Sequence, residues 1–306
     1  MTILTRRAFL RGAIAGAASA FAGAAYAFGY GPLQAPRVAR YRVAPRNWPK
    51  GFALEIAALS DLHACDPWMS LERIDAIVDR MNALEPDVIV LLGDYVAGLH
   101  RFATPIPAAN WARALSRLKA PLGVHAILGN HDMWDDRSIQ RRGGGETVAR
   151  AALEDNGIPV YENAAVRLAR GGRPFWLAGL ADQFAITVGR RRWRGLDDLP
   201  ATLAAVTTDD PVILLAHEPD IFPTVPERVS LTLCGHTHGG QVRLFGWAPI
   251  VPSRFGNRYV HGHIVEDGKH LVVSGGLGCT TLPVRFGAPP EIVHIRVTDP
   301  SQRAAE

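Results

Sequence analysis

Cysteine is scarce: the 306 residues contain three, Cys65, Cys234 and Cys279. So small and odd a number excludes a disulfide framework as the source of stability, and the lack of C-x-x-C spacing removes these thiols as metal ligands. They read as buried thiols, with a single bridge after export left open. Acidic residues are missing from the first 27 positions, where Arg6, Arg7 and Arg11 stand without a partner in sequence. Those three account for most of the formal net charge of +4, and removing them leaves +1 for the remainder. A nearly neutral body gives no electrostatic case for nucleic-acid binding. The compositional marks of disorder are also absent, since 48% of residues are hydrophobic and 20% charged. That is enough apolar material for one large core, or at most two.

The N-terminus reads as an address. Thr5-Arg6-Arg7-Ala8-Phe9-Leu10-Arg11 precedes an uncharged, Ala/Gly-rich run, and Ala25-Tyr26-Ala27 has the form of a small-residue cleavage site. This order of basic, apolar and small residues is that of an export signal over 1–27, and it resembles a bacterial twin-arginine signal. The implied partner is the twin-arginine export machinery, and the implied location is periplasmic or extracytoplasmic. An uncut basic anchor helix is the alternative, which would leave the protein membrane-associated. Residues 28–50 come next as an arm. Pro32, Pro36, Pro45 and Pro49 oppose a helix there and favour extended chain or an edge strand.

From residue 51 to about 300 the pattern changes. Short apolar runs at 54–59, 87–92, 124–128, 175–180, 212–216, 229–234, 271–274 and 292–297 alternate with helical spacing. Leu71, Ile74, Val78 and Met81 recur at that spacing, with Ser70 placed to cap and Glu72 in the first turn. Residues 111–118 and 147–153 also read as helices, the latter stopped by Gly157. The order of elements predicts an α/β domain with largely buried strands, then a short tail at 301–306.

Five of these runs lead directly into polar blocks. The first ends at Asp61-Leu62-His63, the second at Gly93-Asp94 and the third at Gly129-Asn130-His131-Asp132. The run at 212–216 ends at His217, and that at 229–234 at Gly235-His236-Thr237-His238-Gly239-Gly240. In α/β sheets functional groups collect beyond the carboxyl ends of strands. Any one of these pairs is weak evidence, because a lone histidine is usually a satisfied structural side chain. Five in order are hard to explain structurally. The other six histidines, His100, His125, His261, His263, His270 and His294, keep the structural reading.

These five blocks resemble the calcineurin-like metallophosphoesterase superfamily over residues 55–240. Gly239-Gly240-Gln241-Val242, His217-x-Pro219-Asp220 and Arg285-Phe286-Gly287-x-Pro289-Pro290-Glu291 look like one bacterial branch, the YkuE/YaeI-like phosphodiesterases. The resemblance implies a four-layer α/β/β/α sandwich. It also implies ligand roles: Asp61, His63 and His238 for one metal, Asn130, His217 and His236 for the other, and Asp94 bridging them. His131 would face the substrate without binding metal.

Carboxylate, carboxamide and imidazole donors without thiolate suit Mn, Fe, Zn or Co. Two ions ~3.5–4 Å apart can share a hydroxide and direct it at phosphorus. Two divalent ions, less the charges of Asp61, Asp94 and that hydroxide, leave one net positive charge to attract a phosphodiester. His131 is the candidate proton donor to the leaving oxygen, and Asp132 either orients it or is a surface carboxylate in a turn. Arg285 is a candidate phosphate contact, with a structural salt bridge as the equal alternative. The cluster Arg190, Arg191, Arg192 and Arg194 around Trp193 reads first as a solvated loop, with contact to a phosphate-rich membrane surface or a phosphorylated substrate as the alternative. The polar, glycine-containing segment 133–146 reads as a loop near the pocket. The expected activity is hydrolysis of phosphodiesters, lipid- or nucleotide-linked. A phosphomonoesterase and a non-catalytic metal-stabilised module are the alternatives.

Overall fold

The computed structural model describes residues 5–99 and 101–301. The first four residues of the expected signal, His100 and nearly all of the expected tail lie outside the described residues.

Two sheets form the centre. Their strands are β1 (Arg37–Val43), β2 (Leu54–Leu59), β3 (Val88–Leu92), β4 (Val124–Ile127), β5 (Ala164–Arg170), β6 (Arg173–Gly179), β7 (Val212–Leu215), β8 (Val229–Cys234), β9 (Gly262–Glu266), β10 (Lys269–Val273) and β11 (Glu291–Val297). The first sheet runs β1-β11-β2-β3-β4 and the second β9-β10-β8-β7-β6-β5. The chain therefore returns at its C-terminal end to place β11 between β1 and β2. It pairs parallel to one and antiparallel to the other. Within the stretch 28–50, expected as extended chain or an edge strand, residues 37–43 form an edge strand of the first sheet.

The alternation of side chains along each strand builds the layers. Leu54, Ile56 and Ala58 of β2 turn towards the second sheet and join Phe175, Leu177, Ile213, Leu215, Leu231 and Leu233 in one core. Their neighbours Ala57 and Leu59 face the other way, against Ile74, Val78, Trp111 and Leu153 of an outer helical layer. That layer is α2 (Leu71–Asn82), α3 (Ala108–Leu115) and α6 (Val148–Asp155). Ser70 caps α2 through Oγ, which accepts from the Arg73 N–H. The outer layer on the second sheet is thinner. A 3-10 turn at Pro219–Thr224 and the short helix Leu199–Ala204 cover Trp176, Val212 and Leu214. The result is the α/β/β/α sandwich expected from the sequence.

The segment 133–146 is not an open loop. Two short helices, α4 (Asn130–Trp134) and α5 (Arg137–Arg142), occupy most of it, and only Gly143 to Gly145 form a left-handed turn. At the N-terminus α1 (Arg6–Ala25) runs into a wider helical turn at Tyr26–Tyr30. Residues 10–33 make the one segment, among those described, that is long and apolar enough to cross a membrane. The three cysteines are buried free thiols.

Candidate metal centre

Strands of both sheets end at one edge of the sandwich, and there the polar blocks meet. After β2 the backbone turns sharply, with positive φ at Asp61 (53°) and His63 (48°). Asp94 after β3 (59°), and His236 (68°) and His238 (52°) after β8, share this left-handed geometry. It is unfavourable for residues with a Cβ, and its concentration at polar residues marks a built site. Close approach needs glycine as well. A Cβ on Gly129 would collide with Asp94 Oδ1 and stand 2.7 Å from His217 Cε1.

The side chains assemble into two buried groups. Asp61, His63, Asp94 and His238 form one, and Asp94, His217 and His236 the other, with the donor atoms of each within 4.8 Å of one another. Asp94 belongs to both: its Oδ2 lies 3.6 Å from His63 Nε2 and 3.3 Å from His217 Nε2. Its Oδ1 accepts from the His131 N–H at 2.8 Å. The Asn130 Oδ1 lies 2.8 Å from His236 Nδ1, beside the second group.

The imidazoles are oriented by carbonyls. His63 Nδ1 contacts Val96 O at 2.8 Å, His217 Nδ1 contacts Leu92 O at 2.6 Å, and His238 Nδ1 contacts Gly278 O at 3.4 Å. His236 is reversed, with Nε2 against Pro252 O at 2.9 Å. Each ring thus commits one nitrogen to a backbone acceptor and turns the other inward, which is how an imidazole ligand is held. His217 Nε2 is buried and faces Asp94 Oδ2 at 3.3 Å without a well-aligned hydrogen bond, a gap that a cation would fill.

Electrostatics agree with this donor set. Burial pushes His63 and His236 down to about 4 and His238 well below the usual imidazole value, so all three are neutral donors at physiological pH. Burial raises Asp61 to about 6 against the pull of His217. Burial also opposes charge on Asp94, but His217, His131 and His63 together hold it well below the usual carboxylate range. The same carboxylate outweighs burial at His217 and raises its proton affinity. A proton and a divalent cation would therefore compete for that pair.

The remaining expected residues divide. His131 stands at the wall of the cleft, with Nε2 3.2 Å from Thr280 Oγ1 and Nδ1 3.5 Å from Asp135 Oδ2. Asp132 does not orient His131. It is buried, and its carboxylate accepts from the N–H groups of Gly129, Asp94, Tyr95 and Val96. Its work is to tie the β3 and β4 turns together beneath the ligands, because side chains at successive positions of a helical turn point apart. Arg285 does not reach the cleft either. It is 1% exposed and donates to the carbonyls of Gly275, Gly278 and Ala288. A guanidinium with its donors so engaged braces backbone rather than binding phosphate. Arg190–Arg194 lie in and around an exposed two-stranded ribbon, Ile186–Gly189 with Arg192–Arg194.

The cleft itself measures about 610 Å³ and is lined by Asp94, Asn130, His131, His236, His238 and Thr280 among others. Several residues here were not anticipated. Asp135 was detectable as the i+4 neighbour of His131 on a helix. Thr280 comes from the loop after β10, where Gly275-Gly276 beyond an apolar run was the available signal. Beside the cleft, Trp193 stacks on Trp134 at 5.7 Å and packs against Phe184 at 5.6 Å. Behind it lie Asp182 and Glu218, both buried, each with one unpartnered oxygen. Burial and the neighbouring Glu218 raise Asp182 well above the usual carboxylate range.

Residues 54–240 match the family model of calcineurin-like phosphoesterases. The chain belongs to that family. It is a metal-dependent hydrolase of phosphate esters, and its buried Asp/His groups fit two divalent ions. It is 31% identical over 303 residues to the metallophosphoesterase YkuE of Bacillus subtilis, covering 95% of this chain and 97% of that one. The phosphodiesterase YaeI of Escherichia coli is 30% identical over 251 residues, covering 79% and 82%. A zebrafish transmembrane protein with a metallophosphoesterase domain is 30% identical over 273 residues, and the chain spans 57% of its length. Among solved structures, a dimetal phosphatase from zebrafish aligns over 73% of this chain and 88% of that one, at 15% identity and a TM-score of 0.39.

Proposed function

We propose that this phosphoesterase hydrolyses phosphodiesters at a dinuclear centre. Asp61, His63 and His238 would hold one cation, Asn130, His217 and His236 the other, and Asp94 both. The observation that carries the reading is the shared orientation of four imidazoles. Each anchors one nitrogen on a carbonyl and points the other at Asp61, Asp94 or Asn130. The thiolate-free donor set suits Mn, Fe, Zn or Co. Bound there, two divalent ions supply Lewis acidity, polarising the phosphoryl oxygens and making water nucleophilic near neutral pH.

The chain's own groups do the rest. The four N–H donors on Asp132 hold the Asp94 loop rigid, so that Oδ2 stays between His63 and His217. His131 holds the proton for the leaving oxygen. Burial opposes its charge, but Asp94 and Asp135 together raise its affinity for that proton. Thr280 fixes the tilt of the ring from Nε2. The preference for a diester is supported by the likeness to the phosphodiesterase YaeI.

The export reading belongs to the same proposal. The Arg6-Arg7 pair and the exposed apolar α1 support a twin-arginine-type address and an extracytoplasmic site of action near a membrane. The reaction is tested by comparing hydrolysis of aryl phosphate diesters and monoesters by metal-loaded enzyme. Preference for the diester is expected, and a clear preference for the monoester overturns this part of the reading.

A further inference from the structure

Beside the cleft the chain makes a tight hairpin that the reaction does not use. Leu244 and Trp247 exchange backbone hydrogen bonds at 2.8 and 3.0 Å, and Phe245 and Gly246 form the tip with positive φ. Four large apolar side chains stand out from it: Leu244 is 47% exposed, Phe245 108%, Trp247 58% and Ile250 79%. So much uncovered apolar surface in one short segment marks an interaction site.

The hairpin is joined to two other features. Arg243 N donates to Phe286 O at 2.7 Å, Tyr26 lies edge-on to the Phe286 ring at 5.7 Å, and Arg285 N donates to Ala27 O at 2.9 Å. Tyr26, Phe28, Tyr30 and Leu33 are themselves 40–62% exposed. They close the segment 10–33, which is of membrane-crossing length and 6% buried in its most apolar window. At its base the hairpin meets the cleft, where Gln241 exchanges hydrogen bonds with the Thr280 backbone at 2.7 and 3.1 Å. Leu282, 42% exposed, lines the cleft two residues further on.

We infer that the 244–250 hairpin inserts into a phospholipid bilayer beside the end of the N-terminal helix and seats the mouth of the metal cleft on the membrane surface. With the N-terminal helix retained as an uncut anchor, its continuity with the hairpin selects a lipid surface over a protein partner. Tyr and Trp at this junction have the amphipathic character of residues at the lipid–water interface. Substrates would then be phosphodiesters carried on a lipid anchor, whose phosphate lies at headgroup depth. The inference rests on the proposed phosphodiesterase reading, but its first test needs no turnover.

The full chain in phosphatidylglycerol/phosphatidylcholine vesicles, with and without acyl-brominated lipid, is compared with its Trp247→Phe variant. The difference between the two isolates Trp247 fluorescence. Strong quenching of that component by brominated lipid is expected. Equal fluorescence in both lipids overturns the inference, as does Trp247 buried instead by self-association in vesicle-free solution. In a second measurement Phe245→Ser/Trp247→Ser/Ile250→Ser is expected to cut hydrolysis of a vesicle-embedded phosphodiester about tenfold, equivalent to ~1.4 kcal/mol. Hydrolysis of a soluble aryl diester stays unchanged. An equal effect on both substrates overturns the inference. Absence of soluble hydrolysis in the wild type would count against the reaction, leaving the quenching result to judge the surface.

Discussion

At the floor of the cleft, Asp61, His63, Asp94, Asn130, His217 and His238 are each 2% exposed or less, and several sit in left-handed backbone. At its rim, Phe102 is 48% exposed and Leu282 42%, with Trp193, 40% exposed, stacked on the lining residue Trp134. Floor and rim share one cavity but are held by different forces. The floor concentrates like and unlike charges away from water, where an unpaired group is costly and geometry is over-determined. The rim is held by local hydrogen bonds and scattered aromatic contacts, so it can vary without unfolding the floor. The difference suggests that chemistry resides in the floor and choice of substrate in the rim.

The largest break in that division should come at Asp94. Asp94→Asn removes charge from the one oxygen that faces both donor groups. Activity should fall by more than the roughly 10–100-fold typical of losing an outer partner of a metal ligand. Metal content should fall with it. Next comes His131→Ala, at the boundary between the two regions. Turnover should drop about 10²–10⁴-fold while metal content is retained, since its proposed part is proton transfer. Loss of metal in that variant would move His131 into the floor.

A third test addresses the scaffold behind the floor. Glu291 is buried, and burial alone would raise it; His261, the Gly275 N–H and Arg37 outweigh that and lower it from 4.5 to about 2. A depressed carboxylate stabilises the fold above its unfolded value and loses that contribution as pH falls through the folded one. Glu291→Gln should therefore be less stable by ~3 kcal/mol near pH 6, with the gap closing between about pH 4.5 and 2. Chemical denaturation of both proteins across that range measures it. A constant gap would show that the charge is not what holds the loop. The smallest effect is expected at the rim: Trp193→Ala should change KM for aryl diesters a few-fold with kcat and metal content unchanged.

The same contrast explains what the sequence could disclose. Buried apolar runs ending in Asp, His or Asn announced both sheets and the floor, because a polar residue at a strand end inside a core has few structural excuses. The order of strands was not legible: β1 and β11 are 254 residues apart where Arg37 meets Glu291, and only the fold pairs them. For Asp132 and Arg285 the sequence leaves a site role and a structural role equally open, for one reason. Both carry charge near a site, and in each case that charge is spent on backbone amides or carbonyls that sequence cannot reveal. The segment 133–146 was read as a loop from its polarity, whereas short helices form there around an Asp136 cap and a left-handed Gly143. The rim went largely unseen because Thr280, Trp134 and Trp193 meet only in three dimensions.

Metal analysis of the freshly purified full-length protein, repeated on His217→Ala, tests the dinuclear floor most directly. The wild type should carry close to two equivalents of divalent metal per chain. The variant should retain about one, held by Asp61, His63, Asp94 and His238. A wild type that binds a single equivalent even when metal is supplied in excess, or a variant that still binds two, would contradict the assignment of these side chains to two cations sharing Asp94.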